Sequence, residues 1–206
     1  MGAASGSMSV AKFWVEGDLP KDPRRAFMSR VTLRRFQPLR PDEDVEERYG
    51  WCALGEPGDL DLTTGKVFQN EYLTLGFRWD RFKFPAALVN GQLAEAMQRA
   101  LARTDKESLS RNQKAELKQQ VLAKLKQKYL PSMRMVDMVW HFDRREVFFW
   151  SHSSALRERF SACFELTFGL DLVLNSPFSA GLKLLPGRAT QQALQQLEAE
   201  TFRGSR

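Results

Sequence analysis

The chain has 206 residues, 43% of them hydrophobic, with fifteen Phe, five Trp and a formal net charge of +6. That length and aromatic content suit one folded domain with a substantial core and exclude an extended disordered chain. Cys52 and Cys163 are the only cysteines, which excludes a disulfide-stapled secreted scaffold and fits a reducing compartment, and no apolar run reaches the roughly 18 residues of a membrane span.

Residues 1–9 carry neither the basic nor the apolar region of a signal peptide, and Gly6 stands where a myristoylation signal needs Ser or Thr. They read as a flexible leader, with Met8 as an alternative start, and the protein is expected in the cytoplasm. A single domain is expected over 10–186, followed by a C-terminal helix or tail over 187–206. Val10 to Glu16 is short, aromatic and β-branched, and predicts a first strand. Asp22-Pro23 marks a helix start running to about Arg35, with the carboxylate as N-cap and proline at the first helical position. This helix carries Arg24, Arg25, Arg30, Arg34 and Arg35 and is read either as a solvated helix partly neutralised by the acidic run Asp42 to Glu47 or as a second nucleic-acid contact. Tyr49 to Leu54 predicts a strand, GEPGDLDLTTG a turn region, and the aromatic run Val67 to Phe84 a long strand. Alternation there places Phe77, Trp79, Arg81 and Lys83 on one face and Arg78, Asp80, Phe82 and Phe84 on the other. Such cations either snorkel from a half-buried strand or meet phosphates beside stacked bases.

Two helices follow Pro85. Val89, Leu93, Met97 and Leu101 form one apolar stripe, and Leu117, Val121 and Leu125 another. Thr104 with Glu107 and Ser110 with Gln113 both have capping-box spacing, so the second helix starts between Asp105 and Arg111. Between Arg81 and Lys128 eleven basic side chains face four acidic ones, a net of +7, so the rest of the chain is nearly neutral. Lys114, Lys118 and Lys128 fall within or beside the apolar arc of the second helix, where they either border the core or line a groove. After Leu130-Pro131 the segments RMVDMVWHFD and REVFFWSHS predict a hairpin turning at Asp143 to Arg145. Ser153 starts a helix over 155–168 with Leu156, Phe160, Cys163, Phe164 and Phe168 on its apolar face, ended by Gly169. LDLVLNSP is a last strand, and Thr190 to Phe202 a C-terminal helix. The expected fold is α+β, with mixed, mainly antiparallel strands packed with several helices.

Catalytic patterns are sparse. His141 and His152 belong to no metal-binding motif, and no phosphate-cradling glycine loop or nucleophile elbow occurs. Asp137, Asp143 and Glu146 would have to converge for a nuclease-like Mg²⁺ site. The sequence reads as a non-enzymatic protein without cofactors or metal.

The run KAELKQQVLAKLKQKYLPSMRMVDMVWHFD, residues 114–143, resembles the RdgC family of bacterial recombination-associated proteins through Lys114, Leu117, Lys118, Val121, Leu122, Leu130, Pro131 and Trp140. Phe36-x-Pro38, Gly50-Trp51 and SHSSALRERFSACFELTFGLDLVLNSP fit further family positions, so the likeness covers residues 11–178 and is that of the family's N-terminal half. The family's usual second half has no counterpart after about Phe178. The resemblance implies sequence-independent binding of double-stranded DNA through the matched helix, with Lys114 and Lys118 as contacts. It further implies a homodimer, nucleoid association and restraint of RecA-driven recombination. The candidate DNA contacts are Arg99, Arg103, Lys106, Arg111, Lys114, Lys118 and Lys124. Val67–Phe84 and the Met135–Trp150 hairpin are the strands expected to pair across a dimer axis. The alternative is a protein-interaction domain that keeps the RdgC-like core and has lost DNA binding.

Overall fold

Alternating apolar residues make β1 (Ala11–Glu16), which buries Ala11, Phe13 and Val15 and turns Lys12 and Trp14 to the opposite face. The computed structural model describes residues 2–3, 9–103, 108–185 and 187–196. Helix α1 (Pro23–Leu33) is capped as its sequence requires: the Asp22 carboxylate accepts the Arg25 N–H at 3.1 Å. Only Phe27 and Val31, one turn apart, are buried in it. β2 (Glu47–Cys52) follows. The aromatic run from Val67, expected as one strand, is divided into α2 (Thr64–Val67), β3 (Phe68–Gln69) and β4 (Tyr72–Arg81). Asn70 causes the break by taking φ 51°, a conformation asparagine tolerates, so the chain reverses and Phe68 pairs with Leu73.

From the end of β4 the chain makes a helical hairpin, α3 (Ala86–Leu101) and α4 (Arg111–Lys128), and returns as β5 (Ser132–His141). Ser110 and Gln113 form the capping box of α4 reciprocally, at 3.3 and 2.9 Å. The competing Thr104–Glu107 start lies outside the described residues. β6 (Glu146–Phe149) turns back from β5 through Phe142 to Arg145, with Arg145 at φ 52°. Helix α5 (Ser154–Phe168) ends at Gly169, which takes φ 67° as the left-handed cap. β7 (Asp171–Leu174) precedes α6 (Pro177–Leu184) and α7 (Arg188–Gln195). Helix α6 was not anticipated; its sequence signal is Ser176, whose hydroxyl accepts the Ser179 N–H at 3.1 Å, followed by Pro177. The last helix starts two residues earlier than expected, and the part of the expected helix beyond Gln196 lies outside the described residues.

The strands form one sheet in the order β2-β4-β5-β6-β1-β7, with β3 beside β4. Every pairing is antiparallel, so the α+β class holds and the sheet is less mixed than expected. This order changes the view of assembly. β4, β5 and β6 each have neighbours on both sides, whereas β3 pairs only with β4, and β6 covers β5 only from Met138 to His141. β7 pairs only with β1 and is the more open edge.

Helices α1 and α5 cover one face of the sheet with an aromatic core. Phe160 touches Phe13, Trp51, Phe77, Phe149 and Phe164, its ring stacked on that of Phe149 at 4.1 Å. Trp51 is fully buried, and its Nε1–H donates to the Thr167 hydroxyl at 2.8 Å. On the other face Arg78 donates twice to Asp80, at 3.0 and 2.6 Å, and to the Pro57 carbonyl, with its guanidinium over the Phe36 ring. The buried Asp137 carboxylate accepts the Ala3 N–H at 2.7 Å and the Gly55 N–H at 3.3 Å. Part of the expected flexible leader is thereby held on this face. Gly50 lets segment 34–36 approach: a Cβ there would lie within 2.9 Å of Phe36 and Arg34 backbone atoms.

Both thiols are free and buried, and burial pushes each up to about 12 from an ordinary value of 9.0. A raised folded-state value favours the native state below pH 9, and that contribution is lost as pH rises from 9 towards 12. Alkylation of Cys52 and Cys163 by iodoacetamide at pH 8 is expected to be negligible in the native protein and complete after unfolding. Stoichiometric labelling of either thiol under native conditions, read by mass spectrometry, would show that its packing is wrong.

Candidate nucleic-acid interface

The helical hairpin leaves the sheet between two of its strands, and α3 and α4 pack chiefly on each other. Its attachment is local. At the base Phe84 meets Tyr129, while Lys126 reaches the Val45 and Glu43 carbonyls at 3.2 and 3.4 Å and lies over the Phe82 ring. Lys126 thus clamps the hairpin to the 43–45 loop, a structural role that its charge alone did not disclose. Val121 and Leu125, in the C-terminal half of α4, are buried, whereas Leu117 in the N-terminal half is only half-buried. The stripe of α3, Val89, Leu93, Met97 and Leu101, is half-buried throughout.

Lys114 and Lys118 lie on the apolar arc by periodicity, yet both are exposed, and the buried residues of that arc are Val121 and Leu125. Arg103, Arg111, Lys124 and Lys128 are exposed as well, and among the described residues none of these six is in an ion pair. Arg99 differs: it is exposed but reaches back to Glu95, with 3.6 Å between guanidinium and carboxylate. Lys106 lies outside the described residues. Arg111 occupies the first turn of α4, where a cation opposes the helix dipole at a cost of about 0.3–1 kcal/mol. Lys126 and Lys128 in the last turn suit the dipole instead.

The other basic helix is arranged differently. In α1 Arg24 donates to the Asn70 carbonyl, and Arg30 donates at 2.8 Å to the Phe168 carbonyl at the end of α5. Among the described residues no carboxylate of the acidic run is in an ion pair with these arginines. Glu43 pairs with Arg48 at 2.6 Å, and Glu47 takes both ends of the Arg159 guanidinium at 2.9 and 3.0 Å. The three carboxylates considered for a metal are dispersed too. Glu146 pairs with Lys12 at 2.7 Å, Asp143 is exposed in the turn, and Asp137 is held by backbone N–H groups. The β5–β6 register sets Glu146 opposite His141, four residues and roughly 13 Å along the sheet from Asp137. Among the described residues no group of three potential ligands is placed to hold a metal ion. His141 packs edge-on against Tyr72 at 4.8 Å, and His152 is exposed.

One cluster escaped the sequence reading. At the end of β4 and the start of β5, Trp79 stands opposite Arg134, and Arg81 opposite Ser132. The Trp79 indole is nearly buried between the guanidinium groups of Arg81 and Arg159, at 4.9 and 4.5 Å, and donates its N–H to Glu47 at 3.1 Å. Alternation along β4 correctly grouped Trp79, Arg81 and Lys83. Arg134 and Arg159 join them only through strand register and the docking of α5.

No protein-family model and no curated protein matches this chain. Among the described residues no helix is long and apolar enough to cross a membrane.

Proposed function

We propose that this chain is an RdgC-like, non-enzymatic protein that binds double-stranded DNA without sequence preference, and that it modulates homologous recombination by occupying duplex, limiting access of RecA. The observation that carries the reading is the hairpin. Arg103, Arg111, Lys114, Lys118 and Lys124 are exposed and, among the described residues, in no ion pair, on an element packed chiefly on itself in a chain otherwise close to neutral. A projecting cationic hairpin presents charge to a phosphate backbone with little desolvation of its own core, and phosphate contacts position a protein without reading sequence. Residues 114–143, which carry the RdgC resemblance, span most of α4 and all of β5. A homodimer and nucleoid association in the cytoplasm belong to the same proposal.

Duplexes of unrelated sequence are expected to bind with equal affinity, with log K falling against log salt at about 0.9 per phosphate contact. A salt-titrated gel shift measures both. Salt-independent binding, or none at low salt, overturns the proposal. Tyr129, Leu130 and Met133 are large apolar side chains exposed near the hairpin base, Leu130 at 94%. They favour the second reading, a protein-interaction domain, should the shift fail while a stoichiometric protein partner survives nuclease treatment.

A further inference from the structure

We infer that Arg81, Lys83 and Arg134, with the Ser132 hydroxyl, form a seat for a single phosphate group at the base of the hairpin. Resting on the DNA reading above, we assign that phosphate to the backbone of the bound duplex. The seat is separate from the hairpin shaft and consists of residues on β4, β5 and the segment just after β4.

Three observations converge. Arg81, Lys83, Ser132 and Arg134 line one cavity of about 120 Å³, floored by Trp79. That leaves room for a few waters or one tetrahedral oxyanion. Next, the strand register places Arg81 and Arg134 diagonally on one face of adjacent strands, and Lys83 lines the same cavity. Like charges at such spacing repel unless an anion lies between them. Finally, the nearby carboxylates do not supply that anion. Glu47, opposite Arg81 across β2 and β4, is already occupied by Arg159 and the Trp79 N–H, and neither Glu46 nor Glu47 is paired with Arg81, Lys83 or Arg134 among the described residues. Guanidinium groups present forked N–H donors that match phosphate oxygens, and Ser132 adds a neutral donor. Trp79, stacked under Arg81, holds one side of the seat rigid.

The Trp79 indole reports on the seat. Its N–H signal in ¹H–¹⁵N spectra of the full chain, assigned with Trp79→Phe, is expected to shift saturably on titration with inorganic phosphate at constant ionic strength. It should not shift with chloride. In Lys83→Gln/Arg134→Gln, whose side chains are exposed and hold nothing in the core, the shift is expected to vanish. The same double variant should shallow the salt slope of duplex binding by about two contacts. A Trp79 signal that phosphate moves no more than chloride does, or moves equally in the double variant, overturns the seat. A seat that takes inorganic phosphate while the double variant keeps the full duplex slope overturns its assignment to the DNA backbone. Absence of any duplex binding by the unaltered chain defeats the DNA reading, and the phosphate titration still decides the seat.

Discussion

Changing Arg111, Lys114, Lys118 and Lys124 together to glutamine is expected to abolish most duplex binding while leaving the fold intact. All four side chains are exposed, none is in an ion pair among the described residues, and the buried residues of α4, Val121 and Leu125, are untouched. Glutamine has nearly the helix propensity of lysine and arginine, so the helix itself loses little. If each cation neutralises one phosphate, the salt slope shallows by about 3.6 units, and affinity at 0.15 M salt falls roughly a thousandfold. Lys126 is left in place deliberately, because its contacts with the 43–45 loop would mix a stability effect into the measurement. The comparison variant alters Arg24, Arg25, Arg34 and Arg35, which lie on or just after α1. It is expected to keep the duplex slope within one unit. Loss of binding in that variant with retention in the hairpin variant, both measured by salt-titrated gel shift, would move the interface to α1.

The largest stability effect is expected from Phe160→Ala. This side chain is fully buried, and its ring contacts aromatic residues on β1, β2, β4 and β6 as well as Phe164 on its own helix. Removing it leaves a cavity that four strands and a helix cannot all close on at once, so a cost of about 3–5 kcal/mol is expected. Against a total of about 5–15 kcal/mol for an ordinary domain, that is a large share. The urea midpoint should fall with the slope of the transition unchanged. Leu166→Ala provides the contrast on the same helix: Leu166 is 59% exposed, and its truncation should change stability by no more than about 0.5 kcal/mol. Equal effects at the two positions would mean that α5 presents a different face to the sheet.

Several features of this protein were determined by local sequence alone. Asp22-Pro23, Ser110 with Gln113, and Gly169 set helix ends, because a cap is a contact within three or four residues and needs no tertiary partner. The apolar face of α5 and the alternation of β1 and β4 were legible for the same reason: periodicity of 3.6 or 2 specifies a face without specifying what covers it. The reversal at Asn70, with φ 51°, divides the aromatic run in a way that the strand-forming composition around it does not express. Tertiary structure decided the rest. The order β2-β4-β5-β6-β1-β7 places β4, β5 and β6 inside the sheet, which the strand sequences cannot express. Helical spacing put Lys114 and Lys118 on the apolar arc of α4. Both are nevertheless exposed, and the buried residues of the arc are Val121 and Leu125, further along the helix. Lys126, which looked like its neighbours, became a clamp once the 43–45 loop came within hydrogen-bonding reach. Arg134 and Arg159 lie 55 and 80 residues beyond Trp79 in the chain, and only cross-strand register sets Arg134 opposite it while the docking of α5 brings the Arg159 guanidinium over its ring. Local chemistry fixes caps, turns and faces; the meeting of distant charges depends on which strands pair and where the helices land.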